Sequence, residues 1–215
     1  ASCEFREGEV WERGVRQLCE IRNPLVVGVD VGRKKDLTVI SVLEIAGGRY
    51  LTRRMDVLKS AKFAEQKAVL WDILRIPQVF RACMDATGLG LQLAEEAQDA
   101  FGKYKVEAVT FTGAVKEELA YPLKAAFDDG NIRIPFDRFL RADLRGIRKT
   151  TTAAGNIRFI AENDESHCDR FWSLALAVHA GKELASGPCA MESAGNASNP
   201  ANFADGYRSP DNSGD

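Results

Sequence analysis

The sequence predicts an α/β domain built around a mixed sheet. Two patterns carry this reading: three strand-like runs follow one another closely near the start, and helices then alternate with strands. The scale agrees, because 215 residues at 45% hydrophobic and 28% charged supply a core for one domain of roughly 100–200 residues with flanking segments.

Taken in order, Trp11, Val15, Leu18 and Ile21 recur near helical spacing and predict an amphipathic helix over residues 4–22, broken by Asn23-Pro24. Residues 1–22 thus read as a helical linker or arm from a preceding domain. Residues 25–29 are an apolar run leading straight into Asp30, residues 37–45 form a second strand, Gly47-Gly48 a tight turn, and residues 50–58 a third strand, together an antiparallel meander. A helix over 62–74 precedes a fourth strand, 79–84, which again runs into a carboxylate, Asp85. Gly88-Leu89-Gly90 opens a helix to about residue 100. A strand over 106–111 and a helix over 113–127 follow, the latter with Pro122 as an irregularity. A helix over 136–145, a hairpin turning at Ala154-Gly155 and a helix over 168–184 complete the domain at residues 23–185. Residues 186–215, rich in Gly, Ser, Asn, Pro and Asp, read as a disordered tail.

The formal net charge of -2 excludes a chain-wide basic nucleic-acid binder, so any contact with nucleic acid has to be local. The five cysteines are odd in number and form no CxxC pair, which favours reduced thiols over a disulfide framework or a zinc site. No run reaches ~18 apolar residues, so no membrane span is expected. The start lacks Met and any signal-peptide pattern, which suggests an excised fragment, although removal of the Met would also explain it.

Three acids stand out by position. Asp30 ends the first strand, Asp85 ends the fourth, and Asp169 begins the last helix. Each alone also reads as a turn or cap residue. If the two strands are neighbours and the last helix packs on them, three carboxylates meet, repel and raise one another's pKa values. A divalent cation relieves that repulsion. Mg²⁺ prefers oxygen ligands, and two such ions roughly 3.5–4 Å apart stabilise the attacking and leaving oxygens in phosphodiester cleavage. Asp36 is an accessory candidate that also reads as a solvated turn acid. His167 is an auxiliary candidate that also reads as a surface or capping histidine. Phe171 and Trp172 read as core anchors, and His179 receives no role.

Taken together, Gly28-Val29-Asp30-Val31-Gly32, Asp36-Leu37-Thr38-Val39, Met84-Asp85-Ala86-Thr87-Gly88-Leu89-Gly90, Arg145-Gly146-Ile147-Arg148-Lys149-Thr150 and His167-Cys168-Asp169-Arg170-Phe171-Trp172 resemble the C-terminal nuclease domain of tailed-phage large terminase subunits, nearest in look to the terminase-like proteins of Mu-like phages and prophages. The resemblance covers roughly residues 23–185, and its last block is the most specific. It implies a ribonuclease H-like fold with an added β-hairpin, and endonucleolytic cutting of double-stranded viral DNA during genome packaging with Mg²⁺ or Mn²⁺, as two ions. It places the catalytic and metal-binding acids at Asp30, Asp85 and Asp169, with Asp36 accessory. It further implies an N-terminal ATPase domain, a small terminase subunit and a portal as partners, and the host cytoplasm as location. No Gly-x-x-x-x-Gly-Lys-Ser/Thr loop occurs here, so the ATPase motor is expected outside this sequence.

For DNA binding, Arg138, Arg141 and Arg145 fall on one helix face, followed by Arg148 and Lys149, and can track phosphates; a solvated charged face is the alternative. Arg33, Lys34 and Lys35 stand beside Asp30, where they would hold a scissile phosphate. Three other functions share parts of this pattern. A related ribonuclease H-like resolvase or transposase core would cut with junction selectivity. An actin- or sugar-kinase-like ATP-binding domain would need a second subdomain and a glycine-rich adenosine loop. A DNA-binding or assembly module with a decayed site would tolerate loss of Asp85.

Overall fold

The computed structural model describes residues 3–6, 12–32, 37–151, 157–161 and 168–185. β1 (Leu25–Asp30), β2 (Leu37–Ala46) and β3 (Arg49–Lys59) form the expected antiparallel meander. The β2–β3 turn is two residues long, and both Gly47 and Gly48 have positive φ (57° and 73°), which matches the right-handed twist of the flanking strands. β4 (Val79–Asp85) then lies parallel to β1, and β5 (Val106–Val109) parallel to β4. With β6 (Ile132–Arg133) beside β3, the six-stranded order is β5-β4-β1-β2-β3-β6.

Helices cover both faces. α2 (Phe63–Leu74) and α3 (Leu89–Phe101) share one core with Leu25, Val27 and Val29 of β1. α4 (Gly113–Asp128), α5 (Arg138–Gly146) and α6 (Asp169–Ala185) share the other with Val26 and Cys83. β1 is therefore buried at all six positions, which explains its continuous apolar run. β7 (Ile147–Thr151) and β8 (Ile157–Ala161) pair as a separate hairpin; its turn at Ala154-Gly155 and residues 186–215 lie outside the described residues.

α6 is the element on which the site depends. Ser173, Leu174, Ala175, Leu176 and Ala177 are all fully buried, because the sheet lies on one side and α4 and α5 on the other. Small residues let it approach β1 backbone to backbone. A Cβ on Gly28 would stand 2.0 Å from the Ser173 carbonyl oxygen and 2.3 Å from the Ala177 nitrogen. Ser173 Oγ donates to the Gly28 carbonyl at 3.0 Å and lies 2.8 Å from Ser41 Oγ, so the buried hydroxyls are satisfied across the contact.

Three expected boundaries need correction. Among the described residues, the helix over 4–22 is reduced to α1 (Val15–Leu18). Its flanks find sheet partners instead: Glu4 bridges in parallel to Ile134, Phe5 N donates to the Ile134 carbonyl, and Arg13 N donates to the Arg53 carbonyl. Leu18 and Ile21 still join the core, while Trp11 lies outside the described residues. β5 ends at Val109, not residue 111, and Thr112 then caps α4 through Val115 N. α5 starts at Arg138 because Asp137 is its N-cap, accepting from Leu140 N at 2.7 Å, which leaves Phe136 outside the helix. β6, only two residues long, is too short for a periodicity signal. α4 continues through Pro122 without a break.

Gly28→Ala is expected to destabilise the fold by about 1–3 kcal/mol or more, since the added methyl meets backbone that no rotamer change can move aside. Urea unfolding would show a lower midpoint with an unchanged slope. A wild-type midpoint would mean that α6 does not approach β1 this closely.

Candidate metal centre and nucleic-acid interface

β1 and β4 both end in a carboxylate, and their parallel register makes those ends level. Val29 pairs with Met84, so Asp30 and Asp85 stand side by side, one inter-strand spacing of about 4.8 Å apart along the sheet. Alternation along β1 puts Asp30 on the same face as Val26 and Gly28, and along β4 puts Asp85 on the face of Cys83; both are the α6 face. The two carboxylates are 7% and 6% exposed.

α6 brings the third acid. Gly181 lies over Val26 and Ser173 over Gly28, so the helix runs antiparallel to β1 and its first residue, Asp169, arrives near the Asp30 end. Asp169 Oδ2 accepts from Leu37 N at 3.2 Å, at the start of β2 and two residues before the partner of Asp30, Val39. Cys168 holds this entry in a left-handed conformation (φ 55°), unusual for a residue with a Cβ, and its carbonyl accepts from Phe171 N and Trp172 N. Asp143 of α5 accepts from Arg170 N and from Arg170 Nη1, each at 3.2 Å, capping the first turn from a neighbouring helix.

Thr38 secures the chain beyond Asp30 by accepting from Gly32 N and donating to Gln66 Oε1. Gly90 has to be glycine for space: a Cβ there would stand 2.1 Å from the Asp85 carbonyl oxygen, so α3 starts against the end of β4. Thr87 N donates to Asp85 Oδ1 at 2.9 Å.

The basic segment lies beside these acids, tied to the first turn of α6 through Asp143 and Arg170. Arg138, Arg145, Arg148 and Lys149 are exposed. Phe136 and Phe139, 72% and 51% exposed, interleave with the arginines, and the guanidinium of Arg138 lies 4.6 Å from the ring centre of Phe139. Arg141 differs from the expectation of a phosphate-facing side chain: it pairs with Glu4 at 2.8 Å and stacks on Phe136 at 4.3 Å. Lys149 donates to Tyr121 OH at 2.7 Å. Arg33, Lys34, Lys35, Asp36 and His167 lie outside the described residues. Two cavities, of about 660 and 370 Å³, flank His179 beyond β5, and neither is lined by the three aspartates.

A sequence model of the terminase RNaseH-like domain matches residues 27–180, from β1 to α6. The chain belongs to this family. It is 29% identical over 168 residues to the large terminase subunit of Thermus virus P23-45, covering 77% of this chain and 34% of that protein. It is 32% identical over 153 residues to the probable large terminase subunit gp28 of Escherichia phage Mu, covering 67% of this chain and 28% of that one. The chain thus spans about a third of the length of these relatives. Among solved structures, the magnesium-bound large terminase nuclease of thermophilic phage G20c superposes with a TM-score of 0.62 at 28% identity, over 74% of this chain and 82% of that one. The ribonuclease H-like fold of terminase nuclease domains follows, which sets aside the ATP-binding reading.

Within this terminase domain, burial pushes the Asp85 carboxyl above its ordinary pKa, opposed by the bonds from Thr87 and by the charge of Lys116. Sequence reasoning missed Lys116, whose ammonium sits 5.0 Å from the ring centre of Trp172 and 5.4 Å from that of Phe111. It also missed Asp143. Both reach the centre from other elements, with no local spacing to mark them. The donor set suits a hard divalent cation, since Asp30 and Asp85 end neighbouring strands and α6 leads Asp169 toward the same end.

A raised carboxyl pKa gives stability that is full below the unfolded pKa and lost as pH rises through the folded one. At neutral pH without metal, Asp85→Asn is therefore expected to raise Tm, by roughly 2–4 °C per kcal/mol recovered for a domain of this size. The gain should vanish below the ordinary carboxylate range. Equal melting of the two proteins at pH 7 in EDTA would show that ionised Asp85 carries no such cost.

Proposed function

We propose that this terminase domain is a divalent-metal-dependent endonuclease that cuts double-stranded viral DNA during genome packaging, with Asp30, Asp85 and Asp169 as its catalytic metal ligands. One observation carries the reading: Asp30 and Asp85 stand level on neighbouring parallel strands, and Asp169 is led to the same end by α6. Structures of the G20c nuclease with bound magnesium and with bound cobalt support a divalent ion as cofactor. When bound, Mg²⁺ or Mn²⁺, as two ions, supplies charge neutralisation at the scissile phosphate and a hydroxide at neutral pH.

The residues of the chain do the positioning. Asp30 and Asp85 present oxygens from the sheet, so their separation is fixed by strand spacing. Asp169 is aimed by its bond from Leu37 N and by the backbone of Cys168. Thr87 holds the Asp85 carboxylate in one orientation. Asp36 acts as an accessory ligand and His167 as an auxiliary group at the edge of the site.

Arg138, Arg145, Arg148 and Lys149 take DNA phosphates along the face beside the acids, with Arg33, Lys34 and Lys35 closer to the scissile one. Contacts of this kind hold a duplex without reading its sequence. Arg141 serves this surface indirectly, through Glu4. In the complete protein, residues 1–22 would follow an N-terminal ATPase domain, with a small terminase subunit and a portal as partners in the host cytoplasm. No helix of the described residues is long and apolar enough to cross a membrane.

Asp30→Asn, Asp85→Asn and Asp169→Asn are each expected to reduce Mg²⁺-dependent plasmid cutting by at least about 100-fold, a larger loss than removing a group that merely supports a ligand. Circular dichroism should remain that of the wild type. Undiminished cutting by any one of them removes that residue from the centre, and cutting that persists in EDTA refutes the metal requirement. For the interface, Arg145→Ala is expected to weaken duplex binding across unrelated sequences and to lower the salt slope by about 1. A slope equal to that of the wild type would exclude Arg145 from phosphate contact.

A further inference from the structure

A second group of ligand-type side chains sits farther along α6, where the helix crosses β4 and β5, and the nuclease reading does not use it. Cys83 of β4 and Glu107 of β5 are direct partners in the parallel register, and His179 of α6 faces them. Cys83 Sγ lies 3.3 Å from Glu107 Oε2, and His179 Nε2 lies 3.6 Å from Glu107 Oε1. One ligand atom from each of the three falls within 4.8 Å of the others. Donors on a tetrahedral zinc ion, at bonds of about 2.0–2.3 Å, stand about 3.4–3.6 Å apart. The edge from His179 Nε2 to Glu107 Oε1 already matches that figure, and Cys83 Sγ stands at similar range from the other oxygen of the same carboxylate.

We propose that Cys83, Glu107 and His179 form a second cation site, separate from the aspartate centre, for a borderline-soft divalent ion such as Zn²⁺. Chemistry separates the two. The aspartates offer only carboxylate oxygen, suited to Mg²⁺ or Mn²⁺, whereas one thiolate, one imidazole and one carboxylate select zinc-class ions. Position separates them as well: His179 lies ten residues along α6 from Asp169, about 15 Å of helix.

Access and the fourth ligand come from one side. Glu107 and His179 line the cavity of about 370 Å³ with Thr110, Thr112 and Glu118, through which water would reach an ion as its fourth ligand. Arg81 Nη2 holds Glu107 Oε2 at 2.6 Å, leaving Oε1, the atom nearer His179, for the ion. The Cys83 thiol surrenders its proton to solvent on binding. An ion so held would clamp β4, β5 and α6, the first and last of which also carry Asp85 and Asp169.

Co²⁺ titration of the whole chain in excess Mg²⁺ tests this. One equivalent of Co²⁺ should give the thiolate-to-cobalt charge-transfer band and the intense visible bands of a tetrahedral ion, and Zn²⁺ should bleach both. Asp30→Asn should leave the spectrum intact. Cys83→Ser should abolish the charge-transfer band, and His179→Gln should weaken Co²⁺ binding at least tenfold; should the serine variant fail to fold, the glutamine variant decides. Absence of a thiolate band, its persistence in Cys83→Ser, wild-type affinity in His179→Gln, or its loss in Asp30→Asn would each overturn the proposal. The last would assign the ion to the aspartate centre and leave the nuclease reading standing.

Discussion

The contact of α6 with β1 at Gly28 governs the arrangement of this molecule. Helices normally ride on sheets through layers of side chains, with about 10 Å between backbone layers. Here glycine on the strand and serine and alanine on the helix remove that layer locally, and helix backbone touches strand backbone. Such a contact tolerates no sliding, and the buried hydroxyls of Ser173 and Ser41 tie it across two strands. Everything at the N-terminal end of α6, Asp169 first among it, inherits its position from that fixed point.

The same contact decides where charge can be concentrated. Carboxylates at strand ends are held by the ladder hydrogen bonds, and a helix start is the one place on a helix where an acid is favoured by the backbone dipole. The site therefore places two acids where the scaffold is stiff and the third where the scaffold welcomes negative charge. The cost falls on Asp85, whose burial disfavours its ionised form. Lys116, stacked on Trp172, offsets part of that cost, so the aromatic anchor of α6 also supports the electrostatics of the centre.

Much of this was legible in the chain. The apolar run before Asp30, the pair Gly47-Gly48 and the apolar run before Asp85 each speak through local period and turn chemistry, and the acids at their ends are marked by position. What stayed hidden depends on distance along the chain. Arg141 reads as a phosphate-facing side chain until Glu4, 137 residues away, is found against it. Cys83, Glu107 and His179 come from three elements, and a lone cysteine, glutamate and histidine carry no shared spacing. The segment over residues 4–22 misleads for a related reason: its apolar period is real for Leu18 and Ile21, but the backbone of Glu4, Phe5 and Arg13 is claimed by strands that lie far downstream.

That early segment has a consequence for the sheet border. β6 is two residues long and stands at the end of the strand order, where open amide and carbonyl groups would template pairing with another molecule. Glu4 and Phe5 lie along its continuation at Ile134, and the ion pair of Glu4 with Arg141 pins them there. The upstream segment thus works as a selvage, closing the border against edge-to-edge association between copies of the domain.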